Sequence, residues 1–175
     1  MANFSVATQD KNAPTLTGSA VRAQAAYFVE QAAATASDTY IADFFIPAFA
    51  TILDIRVYAQ ALWTDTTAAS LNIGDYTTAA TPVAIDADGW YAGINLKATD
   101  LTAGQSMSIL KAGEANDEGA YLDTTAYHNL QDMDEVDRWI RAQVDVTDGD
   151  GTAGRTMVVV FYAAPEVVQV DPTSF

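Results

Sequence analysis

The chain has no cysteine among its 175 residues, and His128 is its only histidine. Without thiols, the sequence excludes a disulfide framework, a cysteine nucleophile and a cysteine-ligated zinc site. A single histidine is also too few for the usual zinc site. No G-x-S-x-G sequence precedes His128, which lies in an acidic segment, so a Ser-His-Asp triad is not indicated. The sequence therefore predicts no catalytic residues of these types.

Basic residues are scarce: eight Lys and Arg stand against 23 Asp and Glu, which gives a formal net charge of −15. Binding to nucleic acid depends on cations that neutralise phosphates, and anionic membranes attract the same residue types. No run approaches the roughly 18 apolar residues that suggest a membrane span, and residues 1–14 lack the pattern of a signal peptide. We expect neither nucleic acid nor membrane as a partner.

The many carboxylates raise two chemistries. A glycosidase needs two acids at a set separation, one of them kept protonated in an apolar pocket, but nearly all the acids here lie in turns or beside other acids. Calcium is the stronger candidate, because Asp145, Asp148 and Asp150 cluster near glycines, as do Asp86 and Asp88. The spacing does not match an EF-hand, and Asp-Gly is common in hairpin turns, so we expect no cofactor or metal.

Alternating apolar and polar residues predict strands through most of the chain. In residues 51–59, the pattern places Leu53, Ile55, Val57 and Ala59 on one face. In residues 138–146, Ile140, Ala142, Val144 and Val146 alternate with polar residues in the same way. Further strands are predicted at 23–31 (with Ala23, Ala25, Tyr27 and Val29 on one side), 39–47, 70–73, 82–85, 90–96 and 106–110.

Residues 155–163 are nearly all apolar, which predicts a central strand covered on both faces. Turn residues separate these strands: Gly74-Asp75 is predicted to end one strand, and Asp88-Gly89 to join two. Residues 148–154 are predicted to be a hairpin loop.

Eight or nine short strands without a long amphipathic helix indicate an all-β fold, an antiparallel, jelly-roll-like β-sandwich. The sandwich is predicted over residues 21–164, between an extended N-terminal arm at 1–20 and a C-terminal arm at 165–175. Its largest loop, 111–137, has eight carboxylates and no cation after Lys111. Extended arms are suited to reaching neighbouring subunits by strand addition.

The three tryptophans, Trp63, Trp90 and Trp139, lie at strand ends or out of phase with the predicted core residues. Trp139 alternates with Ile140 and should therefore point away from that core face. An outward tryptophan is typical of a carbohydrate platform or a subunit interface, although it could also fill the second side of a two-sheet core.

Residues 50–163 resemble structural proteins of tailed bacteriophages. The resemblance rests on a Thr-rich loop that leads into L-N-I-G-D, an Asp-Gly-aromatic strand and a late Val/Tyr-rich strand; its carriers are Leu71, Asn72, Ile73, Gly74, Asp75, Gly89, Trp90 and Tyr91. The pattern is most similar to that of capsid decoration (cement) proteins. This resemblance implies a non-enzymatic jelly roll made in the host cytoplasm, which forms a homotrimer on the capsid exterior and binds the major capsid protein to stabilise the shell.

Three alternatives remain open at this point. The chain could be another virion component of the same fold, such as a tail or head-fibre protein. It could be a carbohydrate-binding module that uses Trp63, Trp90 or Trp139, or it could be an enzyme, of which a glycosidase is the nearest case.

Overall fold

Eight strands make up nearly all of the regular structure in the part of the chain that the structure describes. The computed structural model describes residues 20–31, 37–64, 67–111, 119–122, 136–147 and 151–164. The strands are β1 (Ala20–Val29), β2 (Ser37–Ile46), β3 (Thr51–Ala61), β4 (Ala68–Thr77), β5 (Ala84–Asn95), β6 (Ser106–Ser108), β7 (Arg138–Thr147) and β8 (Arg155–Ala164), and a 3-10 turn at Ile109–Lys111 follows β6. The predicted arms, apart from Ala20, and most of the acidic loop lie outside the described residues.

The strands form two four-stranded antiparallel sheets, with the order β1-β8-β3-β6 in sheet 1 and β2-β7-β4-β5 in sheet 2. Strands that follow one another in the chain lie in opposite sheets, except for β4 and β5. This order is that of a double-sheet jelly roll, in which two Greek keys face each other. The prediction of an antiparallel, jelly-roll-like sandwich is confirmed.

The core lies between the sheets and is filled by alternate residues of each strand. The predicted inward row of β7 is confirmed, since Ile140, Ala142 and Val144 are fully buried. Val158 and Val160 of β8 are equally buried in the facing sheet. These side chains alternate with half-buried residues, apart from Val159 in β8, which is buried on the outer side. Each central strand therefore presents one apolar face to the core.

The predicted core row of β3 is correct except at Leu53. Ile55, Val57 and Ala59 are buried, whereas Leu53 is 38% exposed. The pairing of β3 with β8 shifts register between Ile52 and Asp54. A one-residue shift moves a side chain to the other face of a sheet, so the extra residue takes Leu53 out of the core row.

The two predicted turns at Gly74-Asp75 and Asp88-Gly89 are wrong. β4 continues through the first pair and β5 through the second. The turn between these strands falls at residues 78–83, where the Thr77 N–H donates to the Val83 carbonyl at 2.9 Å. Gly74 is needed for close packing instead, because a Cβ there would overlap the backbone of Asp86 and Ala87.

β8 lies between β1 and β3, as expected of a central strand. The expectation that both its faces are covered is met only at Val159, which is 8% exposed on the outer side; Met157 and Phe161 also point away from sheet 2 but are partly exposed. The hairpin predicted at 148–154 is also wrong. β7 and β8 belong to opposite sheets, so this connection crosses from one sheet to the other.

Candidate interaction surfaces

The buried carboxylate of Glu30 binds the loops at one end of the sandwich. It accepts hydrogen bonds from the backbone N–H groups of Thr64 (3.0 Å), Ala153 (3.0 Å) and Gly154 (2.7 Å), and from the Thr64 hydroxyl. Charge-assisted bonds of this kind offset the cost of burying the carboxylate. Glu30 therefore joins the end of β1 to the segments that follow β3 and precede β8, which is a structural role.

A second buried carboxylate, Asp54, joins β3 to β6. It accepts hydrogen bonds from Arg56 Nε at 2.5 Å and Ser108 Oγ at 2.7 Å. The hydrogen bond to Asp54 raises the pKa of Arg56 above its ordinary value. Both oxygens of Asp54 are thus engaged within sheet 1, as expected for an acid that stabilises an edge strand.

The residues that carry the phage resemblance hold β4 and β5 together. Trp90 Nε1 donates to Asp75 Oδ1 at 3.0 Å, and the Gly93 N–H donates to Asn72 Oδ1 at 2.7 Å. Arg138 Nε lies 3.9 Å from the other oxygen of Asp75. These contacts occur inside one sheet and leave the motif with a structural role.

The calcium prediction is only partly covered by the described residues. Asp145 accepts hydrogen bonds from Thr39 Oγ1 and Gln143 Nε2, while Asp148, Asp150 and His128 lie outside the described part of the chain. Within the described residues, no group of three or more His, Asp or Glu is placed to hold a metal ion. The same residues include no helix long and apolar enough to cross a membrane.

Asp86 and Asp88 lie close together near the start of β5, where the Asp88 N–H donates to Asp86 Oδ1 at 3.4 Å. Partial burial, followed by the proximity of Asp88, raises the pKa of Asp86 above its ordinary value. Val83 and Ile85, beside this pair, are both more than half exposed. We call residues 83–88 the β5 acidic segment, because it combines exposed apolar side chains with two carboxylates.

Two of the three tryptophans lie in the core. Trp63 is 2% exposed and donates from Nε1 to Thr156 Oγ1 at 2.9 Å, and Trp90 is 3% exposed. Neither ring is accessible to a sugar, so the hypothesis of a carbohydrate platform is wrong for these two residues. Trp139 is half-buried on the outer side of sheet 2, and its predicted direction is confirmed.

The outer side of sheet 2 is mostly polar and internally bonded. Asp43 accepts two hydrogen bonds from Arg141, at 2.7 and 2.9 Å, and the Arg141 guanidinium lies 4.5 Å from the centre of the Tyr76 ring. The rings of Phe45 and Trp139 meet edge to face at 67°. Because Arg141 covers one ring and the other two are not coplanar, this row lacks the flat shape that stacking on a sugar requires.

The outer side of sheet 1 is apolar over two adjacent strands. Register pairs the outward residues Ala23 with Phe161, and Tyr27 with Met157. Tyr27 is 62% exposed and is the most open aromatic of this row. We call the whole set the β1–β8 face: Val21, Ala23, Ala25, Tyr27, Val29, Met157, Val159, Phe161 and Ala163.

Positive charge borders the β1–β8 face. Arg155 continues its β8 row and is exposed, and Arg56 lies on the same side of β3, opposite Val159. Among the described outward residues of β1, β8, β3 and β6, the single carboxylate is the buried Asp54. Two arginines against one aspartate give this surface a net charge of +1, in contrast to −15 for the chain.

The sequence pattern predicted the β1 half of this surface. It placed Ala23, Ala25, Tyr27 and Val29 on one side of a strand, but it did not show that this side faces outward. Residues 155–163 were the second indication of this surface, because they are nearly all apolar and do not alternate with polar residues. The two rows form one surface only because β1 pairs with β8, and local sequence patterns do not show this pairing.

No family model matches the chain, and no curated protein matches it. Among solved structures, a chain of "Capsid of Ralstonia phage GP4" is similar with a TM-score of 0.50 and 16% identity, over 88% of this chain and 89% of that chain. A chain of "Acidic stable capsid structure of Helicobacter pylori bacteriophage KHP30" gives a TM-score of 0.41 and 13% identity, over 83% and 95%. At such identity, the likeness to the Ralstonia phage chain is a likeness of fold.

Proposed function

We propose that this chain is a non-enzymatic virion structural protein, which binds the outer surface of a phage capsid as a trimeric decoration (cement) protein and stabilises the shell. The observation that carries the proposal is the β1–β8 face, which supports assembly with other protein chains, copies of this chain included. Nine apolar positions lie side by side on two strands, eight of them exposed or partly exposed and Val159 buried, and an apolar patch of roughly a few hundred Å² is often a functional contact site. The major capsid protein is the proposed partner on the particle.

Three further observations support this function. The jelly roll is shared, over 88% of the chain, with a chain from a phage capsid structure, which is support by analogy of fold. The buried carboxylates Glu30 and Asp54 serve structural contacts that hold strands and loops in place. The net charge of −15 favours the capsid exterior, because packaged DNA would repel the chain.

The direct test uses shells that lack this protein. Purified protein is added to them, co-sedimentation is measured, and thermal rupture is followed by light scattering. We expect saturable binding and a higher rupture temperature, with no change when an unrelated protein of similar net charge is added. Absence of both binding and a shift in rupture temperature would refute the proposal.

Another virion component of the same fold, such as a tail or head-fibre protein, is the second candidate, because the β1–β8 face would serve assembly in either place. Labelled protein located on intact particles separates the two. Label on the shell supports a decoration protein, and label confined to the tail or to fibres supports the alternative.

A carbohydrate-binding module would depend on Trp139, since Trp63 and Trp90 are buried. We expect a flat tryptophan fluorescence response across a glycan panel. Quenching that is lost in Trp139→Ala would instead favour a glycan-binding role.

A further inference from the structure

We propose that the β1–β8 face is the contact between copies of this chain, and that it covers the β5 acidic segment of the neighbouring copy. This inference rests on the proposed function, since it assigns the contact of the proposed trimer.

The composition of the face fits the centre of a protein contact. The outer side of sheet 2 carries the charged and polar residues Asp43, Arg141, Gln143 and Asp145 beside its aromatic residues Phe45, Trp139 and Tyr76. By contrast, the nine positions of the β1–β8 face include no charged residue. Tyr, Phe and Met are enriched, and charged residues depleted, at the centre of protein interfaces.

The charges indicate a second copy as the occupant. Copies that each carry −15 repel one another, and this repulsion is reduced where one of the two surfaces in contact has no exposed carboxylate. The described part of the β1–β8 face meets this condition and adds Arg155 and Arg56 at its border. Its complement is a surface with apolar and acidic groups together, and the β5 acidic segment supplies Val83 and Ile85 beside Asp86 and Asp88.

The positions of the two surfaces favour a ring. β1 is the edge strand of sheet 1 next to β2, whereas β5 is the edge strand of sheet 2 at the opposite margin of the sandwich. A contact between two different surfaces is heterologous; it forms a ring such as a trimer where the rotation between copies closes, and an open filament where it does not. Pairing the face with itself would match two surfaces of the same sign.

The size of the face fits the centre of a contact. Eight residue steps of about 3.3 Å along two strands, each about 4.8 Å wide, give a footprint on the order of 250 Å². A standard interface uses about 800 Å² per partner. The face is therefore smaller than one side of a standard interface, and it would form the apolar centre of a larger contact.

The first experiment measures the mass of the full chain by sedimentation velocity over a range of concentrations. We expect a trimer, and at least a tenfold weaker association in Tyr27→Glu and in Ala25→Glu. The matched control is Ile41→Glu, which places the same charge on an exposed position of the other sheet, 51% exposed against 62% at Tyr27. Circular dichroism verifies the fold of each variant. If Tyr27→Glu does not fold, the association of Ala25→Glu is the deciding measurement.

A charge reversal tests the named occupant. Arg155→Glu should weaken the trimer, and the added substitution Asp88→Arg should restore part of the association. A wild type that is monomeric or dimeric throughout, a trimer unaffected by Tyr27→Glu and Ala25→Glu, or the absence of any rescue would overturn the inference.

The shell assay separates this inference from the proposed function. A trimer that depends on Tyr27 but neither binds shells nor shifts their rupture would refute the function and support the contact. A monomer that stabilises shells through the same residues would overturn the contact and support the function.

Discussion

The indole N–H of Trp90 donates to the carboxylate of Asp75 across the β4–β5 pair, at 3.0 Å, with both residues almost fully buried. A buried acid is costly unless donors surround it. The two residues therefore depend on each other, and their bond fixes the register of a strand pair that is otherwise interrupted by three register shifts.

Removing the acid from this pair should be severely destabilising. Asp75→Ala leaves the Trp90 N–H without its acceptor and removes the negative charge beside Arg138, so we expect a loss of about 3–5 kcal/mol in the free energy of unfolding. Asp75→Asn retains an oxygen for Trp90 and should lose less. Urea unfolding followed by tryptophan fluorescence measures both.

Asp43→Ala is the matched control, because Asp43 pairs with Arg141 on the more open surface of sheet 2. Its loss should be about 0–1 kcal/mol. Equal losses for Asp75→Ala and Asp43→Ala would contradict the importance of the Asp75–Trp90 bond.

The packing of Gly74 predicts a contrast with Gly93. A Cβ at Gly74 would overlap the backbone of β5, which cannot move aside as a flexible side chain does, so Gly74→Ala should cost about 3 kcal/mol or more. Gly93 has a φ of +79° but open space around it, so Gly93→Ala should cost about 1–2 kcal/mol. Chemical unfolding of the two variants tests the order, and a larger loss at Gly93 would contradict it.

Replacing the carboxylate of Glu30 by an amide should lower the stability of the protein. Glu30→Gln keeps the size of the side chain but turns an N–H₂ group toward backbone donors, so we expect a loss of about 2–3 kcal/mol. Asp145→Asn, at an exposed pair of hydrogen bonds, should change the free energy of unfolding by less than about 0.5 kcal/mol. If Glu30→Gln unfolds like the wild type, the loops at this end do not depend on the carboxylate.

The Trp63–Thr156 hydrogen bond should appear as a coupling energy. Both residues are buried. Each single variant, Trp63→Phe or Thr156→Val, leaves the other residue without this hydrogen bond and should lower the free energy of unfolding by about 1–3 kcal/mol. The double variant should lose less than the sum, by about 0.5 kcal/mol or more. Additive losses in a thermal unfolding cycle would show that the two side chains act independently; Thr39→Val with Asp145→Asn is the exposed control pair.

Local patterns predicted the strands where one face meets the core. The alternation of Ile140, Ala142 and Val144 with polar residues predicts which side chains are buried, because successive side chains of a strand point to opposite sides. The acidity and the absence of thiols followed from composition, and the strand-rich pattern followed from local alternation. Turn residues were less informative: Gly74 and Gly89 suggested chain reversals, but Gly74 accommodates the β5 backbone and Gly89 the ring of Tyr121.

The sequence by itself determined that this protein is an acidic, cysteine-free β-sandwich, since period-two burial and net charge are local or additive properties. Only the tertiary structure decided which strands pair, and hence that β1 joins β8 while β7 and β8 separate into opposite sheets. Strand pairing brings together residues more than a hundred positions apart, which no local period encodes. For that reason the β1–β8 face, on which the proposed assembly depends, emerged only from the fold.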